Sequence, residues 1–347
     1  MRMSAYRAPW YLRSGTLQTM LSPLRAGIDE HHPVLASADI ELLANGKRLH
    51  AFYKEHASER ALVILIHGWE GHACAAYMDR TAIALYNAGF SVARLHLKDH
   101  GHTRSWNPEL FNGSMLAEHY EAVRKLAGKR RVYLAGYSLG GNFALRIAAR
   151  GAKKRIPGLA GVAAISAPLD PHKATAAMDN HPLIGRYLLQ QWRASLREKE
   201  EHFPHLYSFK KHDSVRSVLD LTDVLVQEHS DFSSLEDYFG TYTLGPGFFG
   251  GIDVPYALLT SADDPIIPPE DYRALSPGKE AEIEITEHGG HVAFLQPRRQ
   301  PYYVQFILQK IEAWESKKSM KRTVRKVRKS VHGNRKKPPA LRGKHRK

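Results

Sequence analysis

Gly136-Tyr137-Ser138-Leu139-Gly140-Gly141 sets a serine between glycines at G-x-S-x-G spacing. A serine hydroxyl is a poor nucleophile at neutral pH. It needs a base to take its proton and usually a carboxylate to orient that base. The chain supplies both downstream, in Ser261-Ala262-Asp263-Asp264-Pro265 and in His288-Gly289-Gly290-His291. We assign Asp264 as the acid and His291 as the base; Asp263 and His288 are close rivals, and such residues often serve instead as turn or surface groups. Acyl transfer also creates an oxyanion, and buried N–H groups aimed at it contribute on the order of 3 kcal/mol each. The N–H of Leu139, next after the serine, is one expected donor, and the N–H of Trp69, in His67-Gly68-Trp69-Glu70-Gly71, is the other.

These groups can act together only if the surrounding elements bring them to one place. Residues 131–135 read as a short buried strand and 142–150 as a helix closed by Gly151. Ser138 therefore sits on a sharp strand-to-helix turn, a nucleophile elbow, in a strained backbone conformation that only small neighbours tolerate. The apolar strand 61–66 ends in the His67–Gly71 turn, and the acid and the histidine each follow a strand, 256–260 and 282–285. Further strands at 90–95 and 161–166 alternate with helices at 75–88 and 115–126, and a final helix begins after Pro301. That alternation predicts a mostly parallel sheet with helices on both faces, whose strand ends converge at one edge. Segments 40–43 and 48–53, joined by Asn45-Gly46, read as a hairpin that adds an antiparallel edge. From 171 to 251 helical spacing dominates, as in Tyr187, Leu188, Trp192 and Leu196, and this stretch reads as an inserted cap. It ends in Gly240, Gly245, Gly247, Gly250 and Gly251, suited to a hinge or a return to the sheet.

The 347 residues suffice for a large core. A single cysteine, Cys74, excludes an internal disulfide and points to a reducing compartment. Neither a secretory leader nor an 18-residue apolar run is evident, so a cytoplasmic protein, at most peripheral at a membrane, is expected. The net charge of +15 is local: 15 of the 50 Lys and Arg lie in 317–347 without any Asp or Glu, leaving 35 bases against 35 acids in 1–316. The body is thus formally neutral, and its charge gives no reason to assign it to nucleic acid. The tail has three readings: a solvated segment, an anchor to an anionic membrane surface, or a contact to nucleic acid. Met320, Val324, Val327 and Val331 would line one face of a short basic helix there. His96, His100 and His102 cluster without a matched carboxylate or cysteine set, so they are read as part of a loop lining the site, with no metal and no cofactor.

With these residues in view, the chain resembles the α/β-hydrolase superfamily and, more narrowly, its YheT-like branch, related to mammalian α/β-hydrolase-domain lipases. The narrower likeness rests on Pro9-Trp10-Tyr11-Leu12 with Leu17-Gln18-Thr19, on the His67–Gly71 turn, on Gly136 to Asn142, on Ser166-Ala167-Pro168-Leu169-Asp170, on Asp263-Asp264-Pro265 and on His288-Gly289-Gly290-His291-Val292. The resemblance implies an eight-stranded sheet, a helical cap and carboxylic-ester hydrolysis, with Ser138, Asp264 and His291 as the matching triad positions. In such proteins the acid directly precedes the proline and the base is the second histidine, which favours Asp264 and His291 over their neighbours. The basic tail is no part of the pattern.

The expected organisation is a hydrolase core in 1–170 and 252–316, a cap in 171–251 and a basic tail in 317–347. The expected function is a serine esterase acting on a small-molecule, lipid-like acyl ester through an acyl-enzyme. An acyltransferase or thioesterase on the same triad, and a non-catalytic scaffold working through its tail, are the alternatives.

Overall fold

Asn45 and Gly46 both have positive φ, 49° and 77°, the backbone of a two-residue hairpin turn whose twist matches that of the flanking strands. They join β1 (Ala38–Ala44) to β2 (Lys47–Lys54), which pair antiparallel. β2 in turn pairs antiparallel with β4 (Ser91–Leu95). From there β4, β3 (Leu62–Ile66), β5 (Val132–Tyr137), β6 (Leu159–Ile165), β7 (Tyr256–Ser261) and β8 (Ala281–Thr286) run parallel. The eight-stranded order is β1-β2-β4-β3-β5-β6-β7-β8. The computed structural model describes residues 6–150, 156–245, 247–276, 278, 281–297 and 299–316. Gly151 and the basic segment 317–347 lie outside the described residues.

The side chains of β3 divide by the two-residue period of a strand: Leu62, Ile64 and Ile66 enter one core, Val63 and Leu65 the other. α2 (Ala76–Asn87) and a helix over 302–316 cover the second face through Met78, Leu85, Tyr303 and Ile307. α3 (Leu116–Ala127) and α4 (Leu139–Ala149) cover the first through Val123 and Phe143. The chain has the mostly parallel sheet with helices on both faces that the alternation predicts, and the eight strands that the resemblance to α/β hydrolases implies. α4 begins at Leu139, three residues before the predicted start, because Gly140 and Gly141 are helical despite their low propensity.

Between β6 and β7 the chain runs through α5 (Pro171–Asn180), α6 (Pro182–His202), α7 (Val218–His229) and α8 (Leu235–Gly240). Pro171 and Pro182 occupy first helical turns, where a missing N–H costs nothing, and Asp170 and His181 cap them by accepting from Lys173 and Ile184. The insertion closes on itself, since the N–H of Leu244 donates to the carbonyl of Leu169 at 2.7 Å. Ahead of the sheet stands α1 (Gly15–Leu21), and after β7 a short α9 (Pro269–Arg273).

Candidate active site

Ser138 has φ 50° and ψ −125°, a region costly for any residue with a Cβ, of order 1–3 kcal/mol. The surrounding turn enforces it. A Cβ on Gly140 would lie 2.3 Å from the carbonyl oxygens of Ile66 and His67, so only glycine lets α4 pass this close to the end of β3. The carbonyl of Ser138 accepts from the N–H groups of Gly141 and Asn142, and its own N–H is held by the Ile165 carbonyl at 2.8 Å. Buried Asn142 donates to the carbonyls of Pro168 and Tyr242, tying the elbow helix to both ends of the helical insertion.

On the β7–β8 side, Nδ1 of His291 lies 3.0 and 3.1 Å from the two carboxylate oxygens of Asp264. Oδ1 of Asp264 also accepts from the N–H groups of Ile266 and Ile267, and the carboxylate is fully shielded from solvent. Donation of Nδ1–H to Asp264 leaves the lone pair on Nε2. The rivals form a separate pair: Nδ1 of His288 faces Asp263 at 3.3 Å, while the other oxygen of Asp263 accepts the N–H of Gly290 at 2.9 Å. Neither Asp263 nor His288 borders the cavity that holds Ser138, whereas His291 does.

The loop carrying His291 is braced by a segment whose role sequence reasoning missed. Thr19 Oγ1 accepts the N–H of His291 at 2.8 Å. Gln18, fully buried, accepts the N–H of Leu295 at 2.8 Å and donates to the carbonyl of Leu12. Gly15 and Gly290 meet so closely that a Cβ on Gly290 would come within 2.4 Å of the Gly15 carbonyl. The Gln18-Thr19 pair was visible as a motif, but its partners lie too far along the chain for spacing to connect them.

On the β3–β4 side, the turn after β3 approaches the serine directly, and a Cβ on Gly68 would stand 3.1 Å from the Cβ of Ser138. His67, fully buried, donates from Nδ1 to the Gly68 carbonyl at 2.7 Å and accepts the N–H of Leu97 on Nε2 at 3.0 Å. Burial holds its pKa well below the usual histidine value, so the ring stays neutral and acts as a strut. Among the described residues, neither the N–H of Trp69 nor that of Leu139 has a hydrogen-bond partner. Glu70, raised in pKa by burial, is met by Ser195 of α6 and by Arg104. Lys199 of α6 reaches Asp99 at 2.9 Å. The turn is thereby latched to the helical insertion.

Ser138, Leu139, Gly68, Trp69 and His291 share one cavity of about 510 Å³. Its outer wall is mostly apolar and includes Met178 from α5 and Ile184, Leu188 and Trp192 from α6. The ring of Trp192 stands edge-on to that of Trp69 at 5.1 Å. The reading of the 96–102 histidines as lining this site needs correction. His100 borders a smaller neighbouring cavity of about 80 Å³, and His96 and His102 turn away toward His50 on β2. Periodicity cannot report this, because a loop after a strand end has no fixed face.

Residues 61–212 match the family model of the alpha/beta hydrolase fold. The protein named "Putative esterase YheT" of Escherichia coli (strain K12) is 24% identical over 251 residues, 69% of this chain and 72% of that protein. Among solved structures, the Pyrococcus furiosus esterase Pf2001 superposes with a TM-score of 0.54 at 16% identity, covering 80% of this chain and 90% of that one. A thermophilic esterase from Thermogutta terrifontis gives 0.51 at 16% identity, with 80% and 100% covered. With the sheet order and the elbow, these likenesses lead to one conclusion: the chain has the α/β-hydrolase fold, and its sequence is similar to that of YheT.

Proposed function

We propose that this protein is a serine hydrolase that cleaves a carboxylic ester through an acyl-enzyme, with residues 171–251 serving as the cap over the core formed by 1–170 and 252–316. The observation that carries the reading is the shared cavity. A serine on a strained elbow, a histidine paired to a shielded carboxylate and two unpartnered backbone N–H groups all border one apolar-walled space.

Ser138 Oγ attacks the ester carbonyl while Nε2 of His291 takes its proton, and Asp264 stabilises the imidazolium through Nδ1–H. The N–H groups of Leu139 and Trp69 receive the developing oxyanion, having no competing bond to break first. Collapse of the tetrahedral intermediate expels the alcohol, which regains the proton from His291. Water activated by the same imidazole then releases the acid and restores Ser138. The apolar wall from α5 and α6 favours an acyl chain over a charged group, which would be desolvated there without a partner. The name of the YheT relative fits this reaction class.

A panel of p-nitrophenyl esters differing in acyl length, with Ser138→Ala as the blank, tests the reading. Ser138→Ala is expected to lower kcat by about 10⁴-fold or more and to abolish fluorophosphonate labelling while keeping the wild-type circular dichroism spectrum. Labelling that persists in Ser138→Ala overturns the assignment.

A further inference from the structure

His50 on β2 and His96, one residue past the end of β4, stand opposite each other: β2 and β4 pair at Ala51 and Leu95, and the N–H of His96 donates to the carbonyl of His50 at 2.9 Å. His102 joins them from the short turn Gly101–Thr103. One ligating nitrogen from each ring lies within 4.8 Å of the others. His96 is only 2% exposed, and both its ring nitrogens are buried without a hydrogen-bond partner among the described residues; the same holds for Nδ1 of His50. Buried polar atoms left without partners are rare and call for an explanation. Stacking alone accounts for the ring separations of 4.6 to 5.3 Å, but it leaves those lone pairs unused.

We propose that His50, His96 and His102 form a binding site for a divalent cation of the zinc class. The donor chemistry fits. Three imidazoles suit zinc and its neighbours in the transition series far better than calcium or magnesium. Asp39 holds Nε2 of His50 at 2.9 Å, which fixes the proton there and leaves Nδ1 free to ligate, the usual carboxylate–histidine arrangement behind a metal ligand. His102 is exposed and gives the ion a way in from solvent. The ring of His96 also packs against that of His67 at 5.6 Å. A bound cation would therefore stiffen the region behind the turn that carries Trp69.

The test uses the full-length protein, stripped with a strong chelator and titrated with Zn²⁺ in competition with a chromophoric chelator. Visible absorption of the Co²⁺-loaded protein reports the ligand field. Because the chain holds 20 histidines, the decision rests on variants. His102→Ala removes an exposed ligand, and Asp39→Asn removes the carboxylate behind His50 without touching a ligand. Each is expected to weaken Zn²⁺ binding at least about tenfold and to alter the Co²⁺ spectrum, with unchanged circular dichroism in the metal-free state. Zinc affinity and Co²⁺ spectrum identical to wild type in both variants, or no zinc uptake by the wild type, overturns the proposal.

Discussion

Strand order sets β3 and β4 on one side of Ser138 and β7 and β8 on the other, and the histidines of the two sides are held differently. Those after β8 each face a carboxylate: His291 with Asp264, His288 with Asp263. Of those after β3 and β4, His67, His100 and His119 face backbone. His67 is fixed between the Gly68 carbonyl and the Leu97 N–H, His100 donates to the Lys98 carbonyl, and His119 of α3 joins the Lys98 N–H to the Met115 carbonyl. A carboxylate partner stabilises the imidazolium that a general base must become, whereas backbone partners around a buried ring fix a neutral tautomer and make the ring a strut. What a histidine can do is thus decided by what its ring touches, more than by its distance from the serine.

If that contrast is right, Asp264→Asn has the largest effect, lowering kcat by about 10³- to 10⁴-fold with little change in KM, as steady-state kinetics would show; a loss below tenfold would make the Asp264–His291 pair another strut. Acid should next expose the struts. Folded, His67, His100 and His119 are kept neutral by burial, with His100 at about 4 and His119 at about 3, whereas the unfolded chain protonates each near 6.5. The unfolded state therefore binds more protons below pH 6.5, so the stability these rings contribute is present above that pH and drains away as pH falls toward the folded values. The limit is about 1.4 kcal/mol per pH unit for each ring. Urea unfolding at pH 7 and pH 5 measures this, and a flat profile would break the comparison. His67→Ala should then reduce kcat by about ten- to a hundredfold, since the turn bearing Trp69 loses its brace while the proposed triad is intact. Asp263→Asn should be mildest, below about tenfold in kcat, because an amide oxygen can still accept the Gly290 N–H.

Much of this architecture could be read in advance. The strands around Ser138 are continuous apolar runs buried on both faces, and glycines flank the serine because backbone segments nearly touch there, so pattern and packing agree at that point. The choice between Asp263 and Asp264 could not be read from spacing, since adjacent residues at a strand end are separated only by which way the backbone turns them. α5, α8 and α9 were not resolved individually, as each is short and takes its stability from packing more than from its own periodicity. Least legible was the brace beneath His291. Gly15, Gln18 and Thr19 carry no chemistry of their own and gain their role from residues beyond position 260. The His50 contribution to the histidine cluster was hidden in the same way, by strand pairing.

The contact between Thr19 and His291 joins nearly the two ends of the described chain. During synthesis the first helix emerges early but has nothing to hold until β8 and the loop after it have left the ribosome. The elbow and its neighbouring strands can assemble before that, yet the proposed base has no fixed position until this long-range closure is made. A nascent or C-terminally shortened chain would then present a formed serine turn with the proposed base unseated, and the proposed hydrolysis would switch on only once this contact closes.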